Sequence, residues 1–159
     1  MTIMNYKTMM NNKMYESINR FIKPRSIAVL GASDNYNKFG YTAYRELKER
    51  GYSLYPISSL RKTINGDFCF NSINELPQGV ENLLIILPPE LAKKIVMEID
   101  PIIIKSVWLQ NGAESAQAVR MCLEKGIDVI FRKCILMYAT PVRSYHLLHR
   151  LWFKLKGKL

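Results

Sequence analysis

The chain has 159 residues, 48% of them hydrophobic, with a formal net charge of +10. This length suits one domain with one sizeable core, and no apolar run approaches the ~18–20 residues a membrane helix needs. The charge lies at the ends: residues 1–23 carry +3, residues 24–131 are neutral and residues 132–159 carry +7. A neutral body argues against a domain built to grip nucleic acid. The basic ends can attract polyanions such as nucleic acid or acidic lipid, or form a solvated helix face. Residues 1–23 are polar and charged throughout, with no apolar signal-peptide core, so a cytoplasmic location is expected. Cys69, Cys122 and Cys134 are far apart, with no CxxC pair. They fit neither a disulfide framework nor a zinc site, and reduced thiols are expected.

In chain order, residues 1–14 hold five methionines without clean periodicity and read as a flexible leader. A short helix is expected over 15–22. Ser26–Leu30 is a β-rich apolar run that ends at Gly31. Tyr41–Arg50 reads as a helix with Tyr44 and Leu47 toward a core, stopped by Gly51. Tyr52–Ile57 is a second strand, Phe68–Phe70 a short third, and Ser72–Leu76 a brief helix. Asn82–Leu87 is continuously apolar, as in a strand covered on both faces. Pro88–Pro89 ends it and starts a helix through Ile99. Lys105–Gln110 is a strand, Ala113–Lys125 a helix, and Ile127–Phe131 the last strand. A helix from about Pro141 to Lys156 follows. Strands alternating with helices imply an α/β, Rossmann-like, doubly wound and mostly parallel sheet with helices on both faces.

Ligands of such sheets bind at the carboxyl ends of the strands, where strand order switches. The first such end is Gly31-Ala32-Ser33. Gly31 and Ala32 permit a tight turn and close approach of a phosphate, and Ser33 adds a hydroxyl. The helix starting near Phe39-Gly40 favours an anion at its N-terminus, with Lys38 as a countercharge. A branched side chain at Gly31 is expected to block the phosphate while leaving the fold intact. The full G-x-G-x-x-G fingerprint is absent, because Ser33 and Tyr36 stand where two glycines would. The strand ending at Ile57 is followed by Ser58, Ser59, Leu60, Arg61 and Lys62, without the acid that holds the ribose of NAD. A nucleotide with an extra ribose phosphate, NADP or coenzyme A (CoA), fits Arg61 and Lys62 better.

These residues carry a resemblance. Residues 24–135 resemble the small single-domain CoA-binding proteins, which are related to the CoA-binding domain of succinyl-CoA synthetase. The matching stretches are Pro24-Arg25-Ser26-Ile27-Ala28-Val29-Leu30-Gly31-Ala32-Ser33, Lys38-Phe39-Gly40, Gly51-Tyr52-Ser53-Leu54-Tyr55-Pro56-Ile57, Leu87-Pro88-Pro89-Glu90, Val107-Trp108-Leu109-Gln110-Asn111-Gly112-Ala113 and Cys134-Ile135. The resemblance implies CoA laid over the strand ends, its diphosphate at Gly31, Ala32 and Ser33 and at the helix after Lys38. Its adenosine would lie by Ile57, Ser58, Leu87 and Pro88. Ser58-Ser59 depart from the Asn-Pro usual in the family, and Arg132-Lys133 from its Asp-Arg.

Gln110 and Asn111 end a strand on the ligand side, where they can bond a ligand or cap the next helix. Cys134 follows the last strand and is expected near the mouth of the site. Glu90 and Glu114 sit at strand-to-helix exits, which the helix dipole alone explains. His146 and His149 have no carboxylate or cysteine at helical spacing beside them, so no metal site is expected. With no acid–base–nucleophile set, the expectation is a non-catalytic protein over 15–138 that binds CoA or acyl-CoA. The alternatives are an NADP-linked or acyl-CoA enzyme completed by a partner chain, and a CoA-responsive interaction protein using its basic tail. In that tail, 139–159, Leu147, Leu148, Leu151, Trp152 and Leu155 form one helical stripe. Docking on the domain or on a second copy, giving a homo-oligomer, is favoured over a membrane surface, because each large apolar side chain buried on protein yields ~1.5–3 kcal/mol.

Overall fold

The computed structural model describes residues 3–141, with side chains from Asn12 onward. The elements in order are α1 (Ile3–Ile22), β1 (Ser26–Leu30), α2 (Phe39–Glu49), β2 (Ser53–Ile57), β3 (Thr63–Ile64), β4 (Asp67–Phe68), β5 (Asn82–Ile85), α3 (Pro89–Glu98), β6 (Ser106–Gln110), α4 (Ala116–Glu124) and β7 (Asp128–Lys133). Five strands form one sheet in the order β2-β1-β5-β6-β7, and every neighbouring pair is parallel. The fold is Rossmann-like α/β. The chain leaves β1 outward to β2, then returns past β1 to β5, so strand order switches between β1 and β5.

The period of two along each strand divides the core. Ala28, Leu83, Ile85, Val107, Leu109 and Val129 point to the layer that holds Ala92 and Val96 of α3 and Ala118 and Cys122 of α4. Ile27, Val29, Leu84, Trp108 and Ile130 point to the opposite layer, against Ile18 and Phe21 of α1 and Tyr44 and Leu47 of α2. Both faces are covered, which is why β5 reads as an uninterrupted apolar run.

Helix begins at Ile3, so the segment read as a flexible leader is largely α1. Its amphipathy is weak in sequence, and packing holds it. Phe21 meets the buried Trp108 edge-on, with ring centroids 5.3 Å apart. Ser17 Oγ donates to Asp128 Oδ1 at 2.7 Å, and Arg20 Nη2 to Asp128 Oδ2 at 2.9 Å. The expected third strand at 68–70 is instead the antiparallel hairpin of β3 and β4, outside the main sheet, with Phe70 bridging to Ile57. Just past α2, the Arg50 guanidinium is 1% exposed. It donates to the carbonyls of Leu136 and Ala139 at 2.8 Å each and to Glu46, fixing the chain after β7 against α2. The tail helix expected over 141–156 lies outside the described residues.

Candidate functional site

At the exit of β1 the backbone turns through Gly31 at φ 91°. A Cβ there would sit 2.0 Å from the Ile86 carbonyl oxygen, and one on Gly40 would sit 2.0 Å from the Gly31 carbonyl oxygen. Two glycines thus let the β1 exit, the β5 exit and the first turn of α2 meet backbone to backbone. Gly40 performs the close helix–strand packing that the third glycine of a dinucleotide fingerprint performs. The expectation for Gly31 is corrected here: its missing side chain is demanded by Ile86, so a larger residue strikes the fold before any ligand. No side chain caps the N-terminus of α2, where Lys38 stands exposed at the N-cap. Its amide end and dipole favour an anion beside Gly31.

The loop that follows is tied down locally. Ser33 Oγ accepts from the Asn35 N–H at 3.1 Å, and the Ser33 carbonyl accepts from Asn65 Nδ2 at 3.2 Å. Asp34, which the sequence reading left out, accepts from the Asn65 N–H at 2.7 Å and from Arg61 Nη1 at 3.1 Å. Arg61, expected to face a ribose phosphate, is therefore paired with a carboxylate of the phosphate loop itself. The hairpin carrying Asn65 is anchored from its other side. Lys48 and the Tyr44 hydroxyl both donate to Asp67. Burial works to raise the Asp67 carboxyl, but these hydrogen bonds outweigh it and hold the group below the usual carboxylate range. Burial and then Asp67 push the Tyr44 hydroxyl far up, so it stays a donor.

Beside the loop, a cleft of about 480 Å³ runs along the strand ends. Phe39 of α2, Leu87 and Pro88 after β5, Gln110 of β6, Ala113 and Cys134 line it. Four predicted residues, Phe39, Leu87, Pro88 and Gln110, therefore line one cleft; Gly31, Ala32, Ser33, Lys38 and Gly40 do not line it, and are joined to it through their chain neighbour Phe39 and through Ile86. On the far side of β1, Ile57 is buried in the α3–α4 layer. Ser58 Oγ accepts from the Leu60 N–H at 3.3 Å, and its own N–H donates to the Phe70 carbonyl at 2.9 Å. Ile57 and Ser58 thus shape the turn.

Gln110 is 5% exposed. Its Oε1 accepts from the Ile135 N–H at 3.2 Å, while its Nε2 has no partner among the described residues. Cys134 is partly exposed in the cleft wall, whereas Cys69 and Cys122 are buried. Burial pushes the Cys122 thiol up to about 12 and raises that of Cys69. Glu90 pairs with Lys93 at 2.7 Å, and Glu114 accepts from the Gly112 N–H at 2.8 Å, so both acids serve their local turns. No group of three His, Cys, Asp or Glu among the described residues could hold a metal; His146 and His149 lie outside those residues. No helix among the described residues is long and apolar enough to cross a membrane.

The model of the CoA-binding domain family matches residues 25–140. The chain belongs to this family. Subunit alpha of the ADP-forming acetate–CoA ligase II of Pyrococcus furiosus is 27% identical over 126 residues, which are 72% of this chain and 28% of that subunit. The CoA-binding domain thus spans well under half the length of that relative. The uncharacterized protein YneT of Bacillus subtilis is 23% identical over 71% of this chain and 84% of its own. Among solved structures, a conserved hypothetical protein from Pyrococcus furiosus superposes with a TM-score of 0.66 at 32% identity, over 70% of this chain and 96% of that one. A Rossmann-like CoA-binding domain was the expectation from sequence, and the family match agrees with it.

Proposed function

We propose that this CoA-binding domain holds CoA or an acyl-CoA across the ends of β1, β5 and β6, and does no chemistry on it alone. The observation that carries this reading is the seat formed by Gly31 and Gly40 against Ile86, beside an uncapped helix N-terminus, with Ile86 and Phe39 also lining the cleft. The diphosphate sits on Gly31, Ala32 and Ser33 and the first turn of α2, with Lys38 and Phe39 at its edge. The adenosine lies toward Ser58 and Leu87-Pro88, over the turn that Ile57 anchors, and Gln110 meets the pantetheine arm. CoA is then a bound ligand and not a resident cofactor.

Calorimetric titration with CoA, 3′-dephospho-CoA, NAD and NADP tests this. CoA binds more tightly than NAD, since no carboxylate follows β2 to hold a free ribose. Charge-assisted contacts to the 3′-phosphate contribute ~1.5–3 kcal/mol. Releasing Arg61 from the exposed Asp34 offsets up to ~1 kcal/mol of this, leaving about 0.5–2 kcal/mol against dephospho-CoA at the full offset. Equal affinity for CoA and NAD overturns the assignment. The second reading, an acyl-CoA enzyme completed by a partner chain, draws on the similarity to a ligase subunit. Turnover of acetyl-CoA by the chain by itself would overturn the non-catalytic reading. The apolar stripe of the tail is our candidate contact between copies, and sedimentation velocity of the full chain tests it: a monomer at micromolar concentration refutes it.

A further inference from the structure

The part of the cleft formed by the ends of β6 and β7 carries two groups of different chemistry, Gln110 and Cys134. Gln110 is buried, spends its oxygen on Ile135, and leaves an amide N–H₂ without a partner at the cleft. Such a donor lowers the free energy of a ligand that brings a carbonyl. Next to it in the same wall is Cys134, the partly exposed thiol of the three. A donor for a carbonyl followed by a thiol matches the far half of a pantetheine arm, which carries amide carbonyls and ends in sulfur.

The reach agrees. From the β1 exit to Cys134, whose neighbours Lys133 and Ile135 are bonded to Trp108 and Gln110 of β6, is two to three strand steps, or ~10–14 Å at ~4.8 Å per step. The arm between phosphate and thiol has a dozen or so bonds and covers about 15 Å at roughly 1.2–1.3 Å of advance per bond.

Building on the CoA reading above, we propose that Gln110 and Cys134 form a thiol-end subsite, and that Cys134 captures CoA as a mixed disulfide by exchange with CoA disulfide. The Cys134 thiol gives its proton to solvent, and its thiolate attacks one sulfur of CoA disulfide. The Cys134–CoA disulfide bond forms as the original disulfide bond breaks, and the second CoA leaves as thiolate. One disulfide is consumed and one is made, so no further oxidant enters. A ligand anchored by its nucleotide presents its sulfur at an effective concentration in the millimolar range, an advantage that glutathione disulfide lacks.

The test uses the full chain, reduced, with CoA disulfide or glutathione disulfide at equal micromolar concentration, followed by intact mass and peptide mapping. We expect one CoA adduct per chain, on Cys134, forming at least about tenfold faster than the glutathione adduct. Adenosine 3′,5′-bisphosphate should slow the first reaction and not the second, and Cys134→Ser should remove the adduct. Equal rates, an adduct mapped to Cys69 or Cys122, or one persisting in Cys134→Ser overturns the proposal. Calorimetry with CoA on the same sample separates the two readings. No adduct despite CoA binding sinks the subsite alone, and no CoA binding sinks both.

Discussion

Substituting the glycines of the seat separates two costs that are usually confounded. Gly79 has φ 90° with nothing near its would-be Cβ, so Gly79→Ala meets only the left-handed backbone penalty, ~1–2 kcal/mol. Gly40 lies in α2, and its Cβ would meet the Gly31 carbonyl oxygen at 2.0 Å, far inside the ~3.5 Å contact distance of non-bonded heavy atoms. Overpacking of this kind costs ~1–3 kcal/mol, offset by up to ~1 kcal/mol of helix propensity. Gly31→Ala incurs both penalties, because it combines φ 91° with a 2.0 Å approach to Ile86, for a total of about 2–5 kcal/mol. At ~2–4 °C per kcal/mol for a domain of this size, the melting temperature should fall by roughly 4–20 °C for Gly31→Ala and by roughly 2–8 °C for Gly79→Ala. Thermal unfolding followed by circular dichroism reads all three variants. Should Gly31→Ala melt within 2 °C or so of Gly79→Ala, the overlap with Ile86 is not real and the seat is looser than described.

Asp34→Asn keeps the Oδ1 acceptor for Asn65 and frees Arg61. CoA should bind about 2–5-fold more tightly, the yield of one screened ion pair, and weaker binding by calorimetry would reverse the role given to Asp34. Arg50→Met takes away the donor that the buried carbonyls of Leu136 and Ala139 share, at a cost of ~1–3 kcal/mol for each. A urea-melt loss under 1 kcal/mol would show that this clamp is dispensable. The Asp67 carboxyl is held below its unfolded value, so its contribution is fully present above about pH 4 and fades as pH falls through the folded value. The urea midpoint of the wild type should exceed that of Asp67→Asn at pH 6, with the gap narrowing toward pH 3; a constant gap contradicts the anchoring of the hairpin.

The parallel sheet was legible because its signals are local. Alternation in Ile27–Val29 and Val107–Leu109 and the continuous run at β5 survive without knowing what packs on them. Cys134 and Gln110 were legible for the same reason, since the end of a strand in this fold is the end of the sheet. What escaped were pairings between distant residues. Asp34 and Arg61 are twenty-seven positions apart, and no periodicity links them, so Arg61 read as a free cation. The bond that Ser33 Oγ accepts from the Asn35 N–H was equally hidden, because it depends on how the loop curls. The start of α1 at Ile3 was not legible either, and the packing that holds its C-terminal half, Ser17 on Asp128 and Phe21 on Trp108, is remote support that no local pattern shows.

That remote support has a consequence for how the chain comes to be folded. The Ser17–Asp128 bond joins residues 111 positions apart, so α1 docks on β7, the strand of this sheet that is synthesised longest after it. Until β7 has emerged, α1 has no Asp128 to bind, and Trp108 lacks the cover of Phe21. The N-terminal segment must wait through nearly the whole synthesis of the domain, at ~5–20 residues per second. Docking at this sequence separation is slow to nucleate, so closing of α1 over β6 and β7 belongs late in folding. Losing the first twenty-two residues would then leave a folded sheet with an apolar flank, more prone to self-association than to outright unfolding.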